Sequence, residues 1–97
     1  MILYSLRYSQ QAKERIRCLP PQVKSGVKKS LEGLQQDPYQ GKTLKRELTG
    51  FWSLRFKTYR IIYKIDVSKK KIEVYSLGLR KNIYEEVSHS LKTGSSV

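Results

Sequence analysis

The sequence predicts an α+β fold of order β-α-α-β-β-β-α: an antiparallel twisted sheet, a helical hairpin packed on one face, and a short C-terminal helix. Three observations predict it. Apolar residues from Ala12 to Leu34 recur at helical spacing on either side of Pro20-Pro21, and from residue 51 the spacing changes to period two. The links between the period-two runs are too short for anything but antiparallel hairpins. The 97 residues suffice for one domain, taken as 1–97 with 93–97 a frayed tail, and for one modest core.

Residues 2–8 read as a strand, because Ile2, Tyr4, Leu6 and Tyr8 alternate with Leu3, Ser5 and Arg7. Ser9 can cap a helix that carries Ala12, Ile16 and Leu19 on one stripe. Pro20-Pro21 ends that helix and starts another, since proline is tolerated in a first helical turn. The second helix has Val23, Val27, Leu31 and Leu34 on one face and Lys24, Lys28, Lys29 and Glu32 on the other, and stops before Asp37-Pro38. Residues 38–50 read as a loop pinned by Leu44 and Leu48. Phe51–Lys57, Tyr59–Ile65 and Lys71–Leu77 read as three strands of a meander, with turns at Thr58 and at Asp66 to Lys70 and an end at Gly78. Ile83, Val87 and Leu91 mark a helix over Asn82 to Leu91.

Charge narrows the function. Lys and Arg number 20 against 8 Asp and Glu, a net +12. Residues 1–40 carry net +4 and residues 41–97 net +8, so the second half is the expected surface for a polyanion. No apolar run is long enough to span a membrane, and the N-terminus lacks the charged-then-apolar order of a secretory signal. A lone cysteine, Cys18, forms no internal disulfide and fits a reducing, cytoplasmic setting, with the side chain expected in the core. One His (His89, expected on the exposed side of the last helix) and one Cys are too few for structural zinc. Asp66, Glu73, Glu85 and Glu86 are scattered, so no metal and no cofactor are expected.

Alternation places Ile61, Tyr63 and Ile65 on one face and Arg60, Ile62 and Lys64 on the other. Trp52, Leu54 and Phe56 likewise oppose Ser53, Arg55 and Lys57. With helices over the apolar face, Arg55, Lys57, Arg60 and Lys64 form a cationic patch across two strands, with Arg80 and Tyr84 at its rim. Such a set suits a phosphodiester. Guanidinium is planar, always charged and bidentate toward phosphate oxygens, and two of them stabilise a phosphorane-like transition state. With no metal cluster, the route left is attack by the RNA 2′-hydroxyl on its own 3′-phosphate. The plain structural alternative is a solvated sheet face.

The sequence resembles the RelE/ParE superfamily of type II toxins over about residues 2–90. The resemblance is carried by Tyr4–Tyr8 running into Ser9-Gln-Gln-Ala12, Leu19-Pro20, Asp37-Pro38 and Lys45 to Leu48 with Gly50. It continues through Trp52-Ser-Leu-Arg55, Tyr59-Arg60-Ile-Ile-Tyr63 and Gly78-Leu-Arg80 with Tyr84. It implies a protein that enters the ribosomal A site and cuts mRNA without a metal or cofactor. It also implies neutralisation by a cognate, acidic antitoxin, through whose complex alone DNA is met. Arg60 matches the arginine that stabilises the transition-state phosphate, and Arg80 the one that contacts the phosphate and assists the leaving group. Tyr84 matches the tyrosine that orients the substrate. Arg55 falls where relatives carry a lysine implicated in activating the 2′-hydroxyl. Ser53, Lys57, Lys64 and Lys81 are the expected substrate-binding residues around them. Arginine, with a pKa above about 12, is a poor general base. Leu79 stands where many relatives have histidine, and Gly41-Lys-Thr43 where others have a glutamate, with Glu47 nearby. Two alternatives follow: a ParE-like inhibitor of DNA gyrase without nuclease activity, or a catalytically weakened homologue that binds antitoxin.

Overall fold

The computed structural model describes residues 3–79 and 83–89. The chain forms β1 (Ser5–Tyr8), α1 (Gln10–Arg17), α2 (Pro21–Gln36), β2 (Lys42–Thr43), β3 (Trp52–Phe56), β4 (Tyr59–Asp66) and β5 (Lys71–Leu79). Short 3₁₀ turns occupy Pro38–Gln40 and Arg46–Leu48, and residues 83–89 are helical (α3). Among the described residues no helix is long and apolar enough to cross a membrane.

The helical hairpin follows the local signals. The Ser9 hydroxyl accepts from Ala12 N at 3.0 Å and also donates to the Tyr75 carbonyl, so one residue caps α1 and ties it to β5. Pro21 opens α2, where the missing N–H is an orphan anyway. At the far end Asp37 caps the following 3₁₀ turn through Tyr39 N.

The sheet runs β1-β5-β4-β3-β2. β3, β4 and β5 make the expected antiparallel meander, its first turn closed by Lys57-Thr58 with Lys57 at φ 54°. The sheet as a whole is mixed rather than antiparallel, because β1 joins β5 in parallel, Leu6 opposite Ile72 and Tyr8 opposite Val74. Single-strand alternation carries no information on the direction of a partner, so this pairing was invisible to it. β2 lies inside the stretch read as loop and pairs with β3, Lys42 opposite Ser53 and Thr43 opposite Trp52. Two residues are too few to show a period. The last strand does not end at Gly78 but passes through it to Leu79, opposite Tyr59. Glycine is there for space: a Cβ would lie 2.7 Å from Arg15 Nη1.

Two cores result, one on each side of the sheet. Ala12, Val27, Leu31 and Leu34 of the hairpin pack on Ile61, Tyr63, Ile72, Val74 and Leu77. On the opposite face Ile83 and Val87 of α3 close over Ile62, with Leu48 and Phe51 from the preceding loop. A register shift at Ile62/Tyr63 leaves Tyr75 unpaired on β5, and its ring turns to this second core, edge-on to Phe51 at 4.8 Å. So helices cover both faces, not one. The expectation of an open second face failed because Ile62 reads as an isolated apolar residue among cations, yet it is fully buried. Leu48 and Leu44 pin their loop as expected, to this second core. Cys18, expected in the core, is exposed just beyond α1.

Candidate active site

The second face of the sheet is divided by its small core. At one end, Arg55 of β3 and Arg60 of β4 stand directly opposite one another. Like charges so placed repel, so the pair is a cost to folding unless something anionic meets it. Arg55 is exposed, and its Nε donates to the Lys57 carbonyl at 3.1 Å, which fixes the guanidinium at the hairpin turn. Arg60 is half-buried, and its Nε lies out of reach of water with no hydrogen-bond partner among the described residues. A buried donor left unpaired is expensive, and an anion in the pocket would satisfy it.

The two arginines share a pocket of 230 Å³ with Ser53, Leu54, Gln40, Gly41 and Lys42. Ser53 is buried, and its Oγ is hydrogen-bonded to the Tyr84 hydroxyl at 3.1 Å. That contact brings β3 and α3 together beside the pocket. The loop wall is tied down from within the first core. Tyr63 Oη donates to the Pro38 carbonyl at 2.8 Å and accepts from Gly41 N at 3.2 Å. Burial of the ring pushes the phenol up to about 12, with the Asp37 charge adding to the rise and the Gly41 N–H opposing it.

Of the expected residues, Arg55, Arg60 and Ser53 line one pocket, and Tyr84 touches Ser53. Lys57 is not on a strand but in the adjoining turn, its Nζ 5.7 Å from the Phe56 ring centre. Lys64 is not part of the group: four residues along β4 from Arg60, its Nζ sits 4.7 Å over the Phe51 ring, with the buried Ile62 between. Arg80 and Lys81 lie outside the described residues. His89 is exposed on α3, as expected. Gln40, Gly41 and Lys42 had not been singled out for binding; the signal was the glycine beside a lysine in a stretch otherwise read as loop. Among the described residues no three His, Cys, Asp or Glu side chains come together as a metal site.

On the far edge of β5, Arg15 of α1 donates to the Leu77 carbonyl at 3.1 Å and forms an ion pair with Glu86 of α3. β1 reaches only to Val74, so this carbonyl has no strand partner on that side. The arginine takes the place of a strand there and steadies the segment that faces Arg60 through Gly78.

Comparison with known proteins matches residues 5–84 to the family model for the ParE toxin of type II toxin–antitoxin systems. Toxin RelG of Mycobacterium tuberculosis is 34% identical over 83 residues, which cover 84% of this chain and 95% of that protein. The toxin–antitoxin complex RelBE2 of M. tuberculosis contains a chain superimposing with TM-score 0.76 at 33% identity, over 82% of this chain and 94% of that one. A mutant of Escherichia coli toxin RelE in the free state shares the fold, with TM-score 0.74 at 22% identity over 88% of this chain and 94% of that one.

Proposed function

The chain belongs to the RelE/ParE superfamily of type II toxins, and from that premise we propose that it is a ribosome-dependent endoribonuclease that cuts mRNA. The observation that carries the reading is the facing pair Arg55 and Arg60, one of them with an unpaired buried Nε, in a pocket also lined by Gln40, Gly41, Lys42 and Ser53, the last hydrogen-bonded to Tyr84.

In the proposed reaction the 2′-hydroxyl of one nucleotide attacks its own 3′-phosphorus. The P–O5′ bond breaks, leaving a 2′,3′-cyclic phosphate and a 5′-hydroxyl. The proton of the nucleophile must be lost and one gained by the departing oxygen. Neither arginine is suited to removing a proton. Their part is charge: Arg60 and Arg55 bind the non-bridging oxygens, which are most negative in the pentacovalent transition state. Tyr84 orients the nucleotide at the pocket rim. Arg80 is assigned the leaving-group side, and Lys57 and Lys81 the flanking phosphates. Lys64, stacked on Phe51, serves the messenger farther out. Because acid–base groups are sparse, alignment by the ribosome supplies part of the rate. The relatives solved as toxin–antitoxin complexes support a cognate antitoxin as the resting partner, and a +12 surface favours an acidic one.

A second reading is favoured by the ParE family model that matches the chain: inhibition of DNA gyrase without RNA cleavage. Inducible expression separates the two. The first predicts arrested protein synthesis with cut messengers; the second predicts a DNA-damage response with messengers intact. On the first, Arg60→Ala restores growth while the purified variant keeps its melting temperature. Loss of a single transition-state donor lowers cleavage about 10²–10³-fold. Full toxicity of a folded Arg60→Ala variant overturns the assignment.

A further inference from the structure

We infer that Lys42 is a third phosphate-binding cation of this pocket, and that Tyr63 is the positioning residue that holds it there through Gly41. The inference deepens the nuclease reading and rests on it.

The lysine sits on β2, a strand of two residues, too short to hold its own place. What holds it is the residue before. Gly41 N donates to the Tyr63 hydroxyl, which reaches out of the hairpin-side core between β4 and the loop. The same hydroxyl donates to the Pro38 carbonyl, so one buried oxygen closes both ends of the segment 38–41. Gln40 Nε2 adds a bond to the Gly33 carbonyl at 2.9 Å and anchors the segment to α2. The seat has no slack: a Cβ on Gly41 would stand 2.6 Å from both the Tyr63 hydroxyl and the Ser53 carbonyl. The next residue, Lys42, is therefore delivered at a fixed register opposite Ser53, on the wall facing Arg55 and Arg60. Its side chain is exposed, as is that of Arg55, whereas Arg60 is half-buried, so it stands open to an incoming strand. Three cations from three strands around one opening suit a chain with a phosphate on every nucleotide better than a single anion.

The test exploits counterion release. A single-stranded chain gives a log–log salt slope of about −0.7 for each phosphate neutralised. The probe is a fluorescein-labelled 2′-O-methyl oligouridine, which binds but cannot be cut. Lys42→Ala should make the slope shallower by about 0.7. Tyr63→Phe removes no charge, and keeps the ring that stacks on Trp52, yet should make the slope shallower by the same amount. Combining the two should change it no further. Gly41→Ala, also charge-neutral, should match Tyr63→Phe and serves if that variant folds poorly. A wild-type slope in both folded charge-neutral variants, in Lys42→Ala, or a double effect in the combination overturns the inference. Arg60→Ala is the separate arm: if it leaves affinity and slope unchanged, the nuclease reading itself falls.

Discussion

Tyr63 shows how one side chain can serve packing and placement together. Its ring lies in the hairpin-side core and its hydroxyl meets Pro38 and Gly41. Burial holds the phenol near 12, above its ordinary value near 10. The folded state therefore keeps the proton longer than the unfolded state. This contribution to stability is complete below about pH 10 and is lost as pH rises through about 12. Urea midpoints of wild type and Tyr63→Phe, compared from pH 9 to 12, should show a steeper alkaline decline in the wild type, by on the order of 2 kcal/mol. Parallel curves would mean the hydroxyl titrates as it does in the unfolded chain. At this scale Arg55, Arg60 and Ser53 were legible, because period two puts alternate residues on one face whatever covers it. Lys42 was not, since its place depends on a hydrogen bond that its neighbour Gly41 donates through its N–H to the Tyr63 hydroxyl, 22 positions farther along the chain. Cys18 was misplaced because burial beyond a helix end depends on what the next element covers, and Pro20-Pro21 turns the chain away at once.

Gly26 makes the contact between α2 and the end of β3 possible. An added Cβ would fall 1.9 Å from Phe56 Cζ, so the ring packs straight onto the helix backbone. In an exposed helix Gly→Ala is worth about 1 kcal/mol in favour of folding, whereas overpacking costs about 1–3 kcal/mol. Gly26→Ala should therefore lower the urea midpoint. On a Phe56→Ala background, with the obstruction gone, the same change should raise it. Destabilisation on both backgrounds would point to some other contact. The helices and the meander were legible as elements because each carries a period over several turns or residues. What escaped was relational: the parallel docking of β1, the two-residue β2, and α3 on the far face. Each is decided by which edge or face is left uncovered once the longer elements have packed. Arg15 belongs here too, since it occupies the edge of β5 that β1 is too short to reach.

At the scale of the whole molecule, charge and fold divide the work. A net +12 draws polyanions to the entire surface, and that attraction weakens with salt without distinguishing RNA from an acidic antitoxin. The proposed chemistry rests on the narrower feature, two guanidinium groups opposed across β3 and β4 in one pocket with Gln40, Gly41 and Lys42. The most direct measurement is primer extension on a messenger in a reconstituted translation system, with purified wild-type protein and a folded Arg60→Ala variant. The account predicts cuts in phase with the codons, only when ribosomes are present, that weaken about 10²–10³-fold in the variant. Intact messenger with the wild-type protein, or equal cutting by both, would contradict it.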